Sequence, residues 1–334
     1  MELTTSFRLT AALIISFFGA LALGPLVIPM LRRLKAGQTI REEMHASHQA
    51  KAGTPTMGGI IFATPAVIAT TPFAPREGAG LRRLLFALAL PVGHGLVGFA
   101  DDYIKVVLKR SLGLRAREKL LSQVALAAVL GYGAVEVLGL GTDITLPYLN
   151  WSITLGKPLY YILVLIIVWG TANAVNFTDG LDGLLAGSAI ITFGFYGIFV
   201  AAVLGYLDLT VLSLAIVGGC FGFLRYNSHP ARVFMGDVGS FALGGALAAI
   251  AVLTKTEFLL VVVGGVYVIE VLSVMLQVAS FKLTGKRIFR MSPLHHHFEL
   301  MGWPETRVLR LFWGAGLALA ILGWFALPGM VFNR

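Results

Sequence analysis

The sequence predicts an all-α polytopic membrane protein of about ten spanning helices, and three observations predict it. Hydrophobic residues make up 57% of the chain and charged ones 13%, with a mean hydropathy of +0.82, which is too little polar surface to coat a soluble globule of 334 residues. Apolar runs near the roughly 20 residues that a helix needs to cross a bilayer recur from one end to the other. They are long and continuous, whereas barrel strands are about ten residues with strict alternation, so helices fit and a β-barrel does not.

The first run, 8–30, exceeds the apolar core of a signal peptide and leads through Pro25 and Pro29 into Arg32 and Arg33 with no small-residue cleavage site, so it is expected to remain as a span. Runs at 58–73, 84–107, 121–139, 158–175, 183–203, 208–223 and 238–254 follow. The ninth, 258–283, contains Gly264, Gly265 and the acid Glu270, and is expected to break or bend there. The tenth is 308–327. No linker, low-complexity tract or repeat divides the chain, so 1–334 reads as one membrane-embedded domain.

Lysine and arginine set the orientation. Alternate connections hold 19 of them against 7, which places the first set in the cytoplasm and both termini outside, as an even number of spans requires. The net charge of +9 fits topology and contact with anionic lipid or phosphate better than nucleic acid. The single cysteine, Cys220, lies in an apolar run and leaves no disulfide or cysteine-based metal site.

Four polar islands interrupt the apolar chain: Asp101-Asp102, Asn176 to Gly183, Met235 to Ser240, and His295-His296-His297. With this topology five of the seven aspartates (101, 102, 179, 182 and 237) face the cytoplasm, at the ends of apolar runs. A carboxylate in a spanning helix costs about 2.5–3.5 kcal/mol and requires partners. Adjacent Asp101 and Asp102, at the end of the third helix, repel one another, and Mg²⁺ would relieve that while substrate phosphates complete its coordination. The bland alternative is a helix end paired with Lys105 or Lys109.

Asp179 and Asp182 stand three apart, and a helix starting near Asp179 would aim both carboxylates at one side of its first turn. An EF-hand is excluded, because its closing glutamate would fall at Ile190. Gly236 and Gly239 flank Asp237 and allow the backbone close to a phosphate, although such segments are also ordinary turns. The three histidines, expected in a loop, suit hydrogen bonds to phosphate better than zinc, which prefers spaced ligands. Lys51, Thr54 and Thr56 precede the second run, and with Lys105, Lys109, Arg115, Arg117 and Lys119 would surround an anionic headgroup.

Together the segments Gly53 to Gly59, Phe99 to Lys105, Asn176 to Gly183, Phe234 to Ser240 and Ser292 to Phe298 resemble, in content and order, the phospho-N-acetylmuramoyl-pentapeptide transferase family. The wider superfamily of polyprenyl-phosphate N-acetylhexosamine-1-phosphate transferases shares the aspartates. The unbroken histidine triplet and the Gly-Thr-Pro-Thr-Met-Gly-Gly run point to the muramoyl branch.

The resemblance implies a ten-helix enzyme of the bacterial inner membrane, with its active site on the cytoplasmic side. It would join UDP-MurNAc-pentapeptide to undecaprenyl phosphate with Mg²⁺, giving lipid I and UMP. It makes Asp237 the first choice for a Mg²⁺ ligand, beside Asp101 and Asp102, with Asp101 as the base for the lipid phosphate and His296 and His297 supporting the diphosphate. Lys51, Thr56, Asn176, Asp179, Asp182, Asn227, Phe234 and Gln277 would contact the nucleotide-sugar, with Lys105, Lys119 and His295 close by. A bend in the ninth helix would open a groove for the prenyl tail, and a homodimer is compatible with the family.

Three other readings stand beside this one. A secondary transporter would also place acids in the membrane, but calls for polar groups near the midplane and repeat symmetry. A lipid-binding scaffold explains the basic loops but not five aspartates. A sister transferase using UDP-GlcNAc shares the chemistry.

Overall fold

The computed structural model describes residues 4–34, 53–110, 112–149 and 151–326, and the protein is mostly helical over them. The helices are α1 (Thr5–Arg33), α2 (Gly59–Thr70), α3 (Gly78–Val106), α4 (Ala116–Tyr132), α5 (Lys157–Thr178), α6 (Leu184–Phe199), α7 (Leu207–Asn227), α8 (Gly236–Leu253), α9 (Glu257–Val263), α10 (Gly265–Thr284), α11 (Leu294–Leu300) and α12 (Glu305–Phe325). A two-stranded antiparallel hairpin, β1 (Asp143–Leu146) and β2 (Trp151–Thr154), lies between α4 and α5 and pairs Ile144 with Ile153.

Among the described residues, eight helices are long and apolar enough to cross a membrane. The other two expected spans are shorter: α2 has 12 residues and α6 has 16 before a π-helical turn at Val200–Leu204. α2 begins late because the chain before it is used otherwise. The backbone N–H groups of Gly58 and Gly59 donate to the carbonyls of Phe234 and Met235, both at 2.8 Å, so 55–58 runs as irregular backbone paired against the start of α8. Non-helical backbone at membrane depth is stable only when protein satisfies it in this way. The ninth run is divided at Gly264, where α9 ends and α10 begins.

α8 is the axis of the bundle. Every residue from Val238 to Leu253 is buried, the pattern of a helix apolar all round. α3 and α5 pack on it, while α1, α2 and α6 pack on α7. α10 is the opposite case: one stripe, including Tyr267, Glu270, Ser273 and Gln277, is buried, and Ile269, Leu272, Met275, Leu276 and Phe281 are exposed. Side-chain contacts bring the ends of α3, α5 and α7 together with the starts of α4, α6, α8 and α12 at one end of the bundle.

Candidate active site

Asp101 and Asp102 occupy the last turns of α3 and are buried, and Asp237 is in the first turn of α8. Two glycines allow the approach. A Cβ on Gly98 would run into the carbonyl of Asp237, so its absence lets α3 lie against α8 at this level. Gly236 has φ of +74°, a conformation glycine adopts without cost, and a side chain there would press on Asp102 Oδ2 and Thr56 Oγ1. One carboxylate oxygen from each of Asp101, Asp102 and Asp237 lies within 4.8 Å of the others.

Two lysines hold Asp101 and Asp237. Lys119 Nζ, from the first turns of α4, is 3.1 Å from both Asp101 Oδ1 and Asp237 Oδ2. Lys105 Nζ pairs with Asp101 and lies 3.1 Å from Asp237 Oδ2. The Leu114 amide donates to Asp101 Oδ1 at 2.7 Å, and Val238 N–H donates to Asp102 Oδ2 at 3.2 Å. Asn176 Nδ2 donates to Asp237 Oδ1 at 2.9 Å and to Ser240 Oγ at 2.8 Å. Three carboxylates against two ammonium groups leave a formal excess of one negative charge, and closely spaced carboxylate oxygens are what a hard divalent cation selects. The residues present therefore fit a metal site.

Asp179 caps the end of α5 and accepts from Gly236 N–H at 3.2 Å. Burial, and then the Asp237 charge, push its carboxyl up to about 7. Asp182 turns elsewhere: its Oδ2 accepts from Ala231 N–H at 2.9 Å and meets His229 Nδ1 at 3.2 Å, and His229 in turn lies 3.1 Å from Glu305 Oε2. The two acids do not share one side of a first turn, because α6 starts only at Leu184, after Gly183 has turned the chain at φ +79°. Asp182, His229 and Glu305 form a second acid-and-histidine group, which sequence reasoning missed; 123 residues separate Asp182 from Glu305 along the chain, and neither His229 nor Glu305 belongs to a polar island.

The histidines form a helix, α11, instead of the expected loop, and this sends the three rings to different neighbours. His295 is fully buried against Gly180, with Nδ1 3.1 Å from Glu270 Oε1, while Leu294 N–H donates to Glu270 Oε2 at 2.7 Å. His296 Nδ1 is 2.8 Å from Glu299 Oε2, and His297 Nδ1 accepts from Arg290 N–H at 3.1 Å. These partners lie on α10, on α11 itself and in the segment between them, not on the Asp101, Asp102 and Asp237 cluster.

Two expected substrate contacts act as internal staples. Asn227 Oδ1 accepts from Gly183 N–H at 3.1 Å and its Nδ2 donates to the Val233 carbonyl at 3.0 Å, fixing the 179–183 and 228–236 segments together. Gln277 accepts from Ile288 and Phe289 N–H and donates to the Phe289 carbonyl, each at 2.9 Å. Thr56 is buried beside Gly236, and Phe234 is half-buried with its N–H on the Pro55 carbonyl at 2.8 Å. Lys51 lies outside the described residues.

Apolar helices of spanning length that gather acids, lysines and backbone turns at one end define a polytopic membrane protein with a site suited to a metal-bound, multiply charged anion. The glycosyl transferase family 4 model matches residues 84–255, and the phospho-N-acetylmuramoyl-pentapeptide-transferase signature 1 matches residues 51–62. A phospho-N-acetylmuramoyl-pentapeptide-transferase of Symbiobacterium thermophilum is 72% identical over 334 residues, covering 100% of both chains. Enzymes of the same name from Desulforamulus reducens and Bacillus subtilis are 54% identical over 310 residues (92% of each chain) and 52% identical over 311 residues (93% of this chain and 95% of the relative). The chain belongs to the phospho-N-acetylmuramoyl-pentapeptide transferase family.

Proposed function

We propose that the protein transfers phospho-MurNAc-pentapeptide from UDP-MurNAc-pentapeptide to undecaprenyl phosphate, releasing UMP and forming lipid I at the cytoplasmic face of a bacterial inner membrane. The observation that carries this reading is the convergence of Asp101, Asp102, Asp237, Lys105 and Lys119 where spanning helices end, so that a bilayer-borne acceptor and a water-borne donor can meet there. In this reading the chain is one domain of ten spans with both termini outside, α2 and α6 being the short ones. The exposed face of α10 lines a groove for the prenyl tail, and two copies form the working unit.

An oxygen of the lipid phosphate attacks the β-phosphorus of the donor. The new P–O bond forms as the bond between the α- and β-phosphates breaks, and UMP leaves with that electron pair. Asp237, Asp101 and Asp102 would hold Mg²⁺, which when bound neutralises charge on the donor diphosphate. Lys105 and Lys119 draw the anionic acceptor in and offset charge developing on phosphoryl oxygens. Asn176 fixes the Asp237 carboxylate, Asp179 fixes the turn at Gly236, and Asp182 and the histidine helix shape the donor side.

Both oxygens of Asp101 and of Asp237 are engaged by lysine, amide or asparagine donors. That favours direct attack over a carboxylate nucleophile and a phosphoryl-enzyme. It also limits Asp101 as a base, and the acceptor monoester, with a second pKa near 6, is already largely dianionic at neutral pH. Positioning and electrostatics therefore supply most of the acceleration.

The test is UMP release by purified protein given undecaprenyl phosphate, Mg²⁺ and either UDP-MurNAc-pentapeptide or UDP-GlcNAc. Release with the muramoyl donor alone supports the reading. Release with UDP-GlcNAc alone assigns the sister activity, and release with neither overturns both.

A further inference from the structure

Beneath the carboxylate cluster, one turn further into the bundle, lies a polar pair that the mechanism above does not use. Gln123 is four residues past Lys119 on α4, about 6 Å further along the helix axis, and Asn173 is three residues before Asn176 on α5, about 4.5 Å. Gln123 sits on the buried stripe of α4 with Ala127, Leu130 and Gly131, and only 2% of it is exposed. On α8 the residue one turn past Asp237 is Phe241, whose ring centroid is 5.2 Å from Lys119 Nζ. The cluster thus has an apolar floor on one side and an amide on the other.

The hydrogen bonds fix which way that amide faces. Asn173 Nδ2 donates to the Trp169 carbonyl at 2.7 Å, and a carbonyl only accepts, so that atom of Asn173 is its nitrogen. The same nitrogen lies 3.3 Å from Gln123 Oε1, so the Gln123 atom facing it is the oxygen. Its Nε2 is left with two protons and, among the described residues, no acceptor. A buried donor without a partner costs about 1–3 kcal/mol, and an apolar side chain on this stripe would avoid that cost. The neighbouring face of α5 is bare: Trp169 and Phe177 are exposed, with Asn173 partly exposed between them at helical spacing. Along that stripe Asn173 reaches Gln123 and, one turn on, Asn176 reaches Asp237, so the bare face of α5 leads to the carboxylate cluster with the Gln123 amide buried beside it.

We propose that Gln123 is an acceptor-binding residue: its Nε2 donates to an oxygen on the lipid-ester side of the polyprenyl phosphate, with Asn173 holding the amide in the orientation that leaves this donor free. The proposal rests on the transferase reading. It assigns the lipid phosphate two sets of contacts, Lys105 and Lys119 from above and Gln123 from the membrane side. The donor nucleotide, arriving from the water, does not meet Gln123.

Steady-state kinetics of Gln123→Leu and Gln123→Glu in lipid nanodiscs, with each substrate varied in turn, test it. The leucine variant keeps the volume and is expected to raise KM for undecaprenyl phosphate about tenfold, the loss of one hydrogen bond to a charged group, while KM for UDP-MurNAc-pentapeptide stays put and the melting temperature does not fall, the unpartnered donor being gone. The glutamate variant still offers Asn173 an oxygen but faces the phosphate with a carboxylate, so its lipid KM rises further. An unchanged lipid KM in either variant, or an equal rise in both KM values, overturns the proposal; the latter is what a structural role alone would give. If leucine fails to fold, glutamate carries the test. Direct binding of undecaprenyl phosphate to wild type and variants without nucleotide separates the two readings: if wild type binds the lipid but releases no UMP, the transferase reading fails, while a drop in lipid binding by the variants still supports the role of Gln123.

Discussion

Two charged groups at opposite ends of the bundle solve the same problem differently. At the end that carries the hairpin, Arg83 of α3 meets Asp208 of α7 through two hydrogen bonds, Nε to Oδ2 at 2.8 Å and Nη2 to Oδ1 at 2.6 Å. The guanidinium is also 3.5 Å above the Tyr206 ring. One positive group meets one negative group, both nearly buried, with matched fork geometry and nothing left over. At the other end two carboxylates, Asp101 and Asp237, share two lysines, and a third, Asp102, lies beside them with the Val238 N–H. The first arrangement is closed and holds helices together. The second has one carboxylate more than it has ammonium groups.

The comparison can be broken by removing one acid from each end. Asp208→Ala strands Arg83 in a buried setting and should lower stability by about 3–5 kcal/mol, read as a fall in melting temperature, while turnover per folded molecule is retained. Lost turnover with intact stability would mean that the closed pair is no mere clasp. Asp237→Asn should do the reverse: turnover falls roughly a hundredfold, about 2.7 kcal/mol of barrier, in protein that inserts and melts normally. Asp101→Asn should cost at least about tenfold, or 1.4 kcal/mol; a near wild-type rate would remove Asp101 from the site. The exposed pair between Lys157 and Glu136, 2.8 Å apart, sets the lower limit. Lys157→Ala should leave both melting temperature and turnover unchanged, because solvent screens such pairs.

Much of this was legible in the sequence, for a physical reason. Apolar runs must become helices in a bilayer, and acids at their ends cannot be left without partners, so the positions of α3, α5, α7, α8 and α12 and the gathering of Asp101, Asp102 and Asp237 at one end followed from local composition. What was not legible depends on contacts between distant segments. α2 is short because Gly58 and Gly59 pair with Phe234 and Met235, more than 170 residues away. Asp179 and Asp182 part company because Gly236 N–H takes one and Ala231 N–H the other. The histidines form a helix whose start is held by Glu270, an acid inside an apolar run that lies beside His295, 25 residues on. Asn227 and Gln277, expected on the substrate, bind backbone, which no one-dimensional pattern distinguishes from binding a ligand.

Glu270 has a mechanical consequence. It is rooted in α10, whose outer face is bare apolar surface, and it grips both the first amide and the first imidazole of α11. α10 and the start of α11 are therefore coupled through one buried side chain: a displacement of α10 at Glu270 is carried to the first turn of α11 and to the His295 ring.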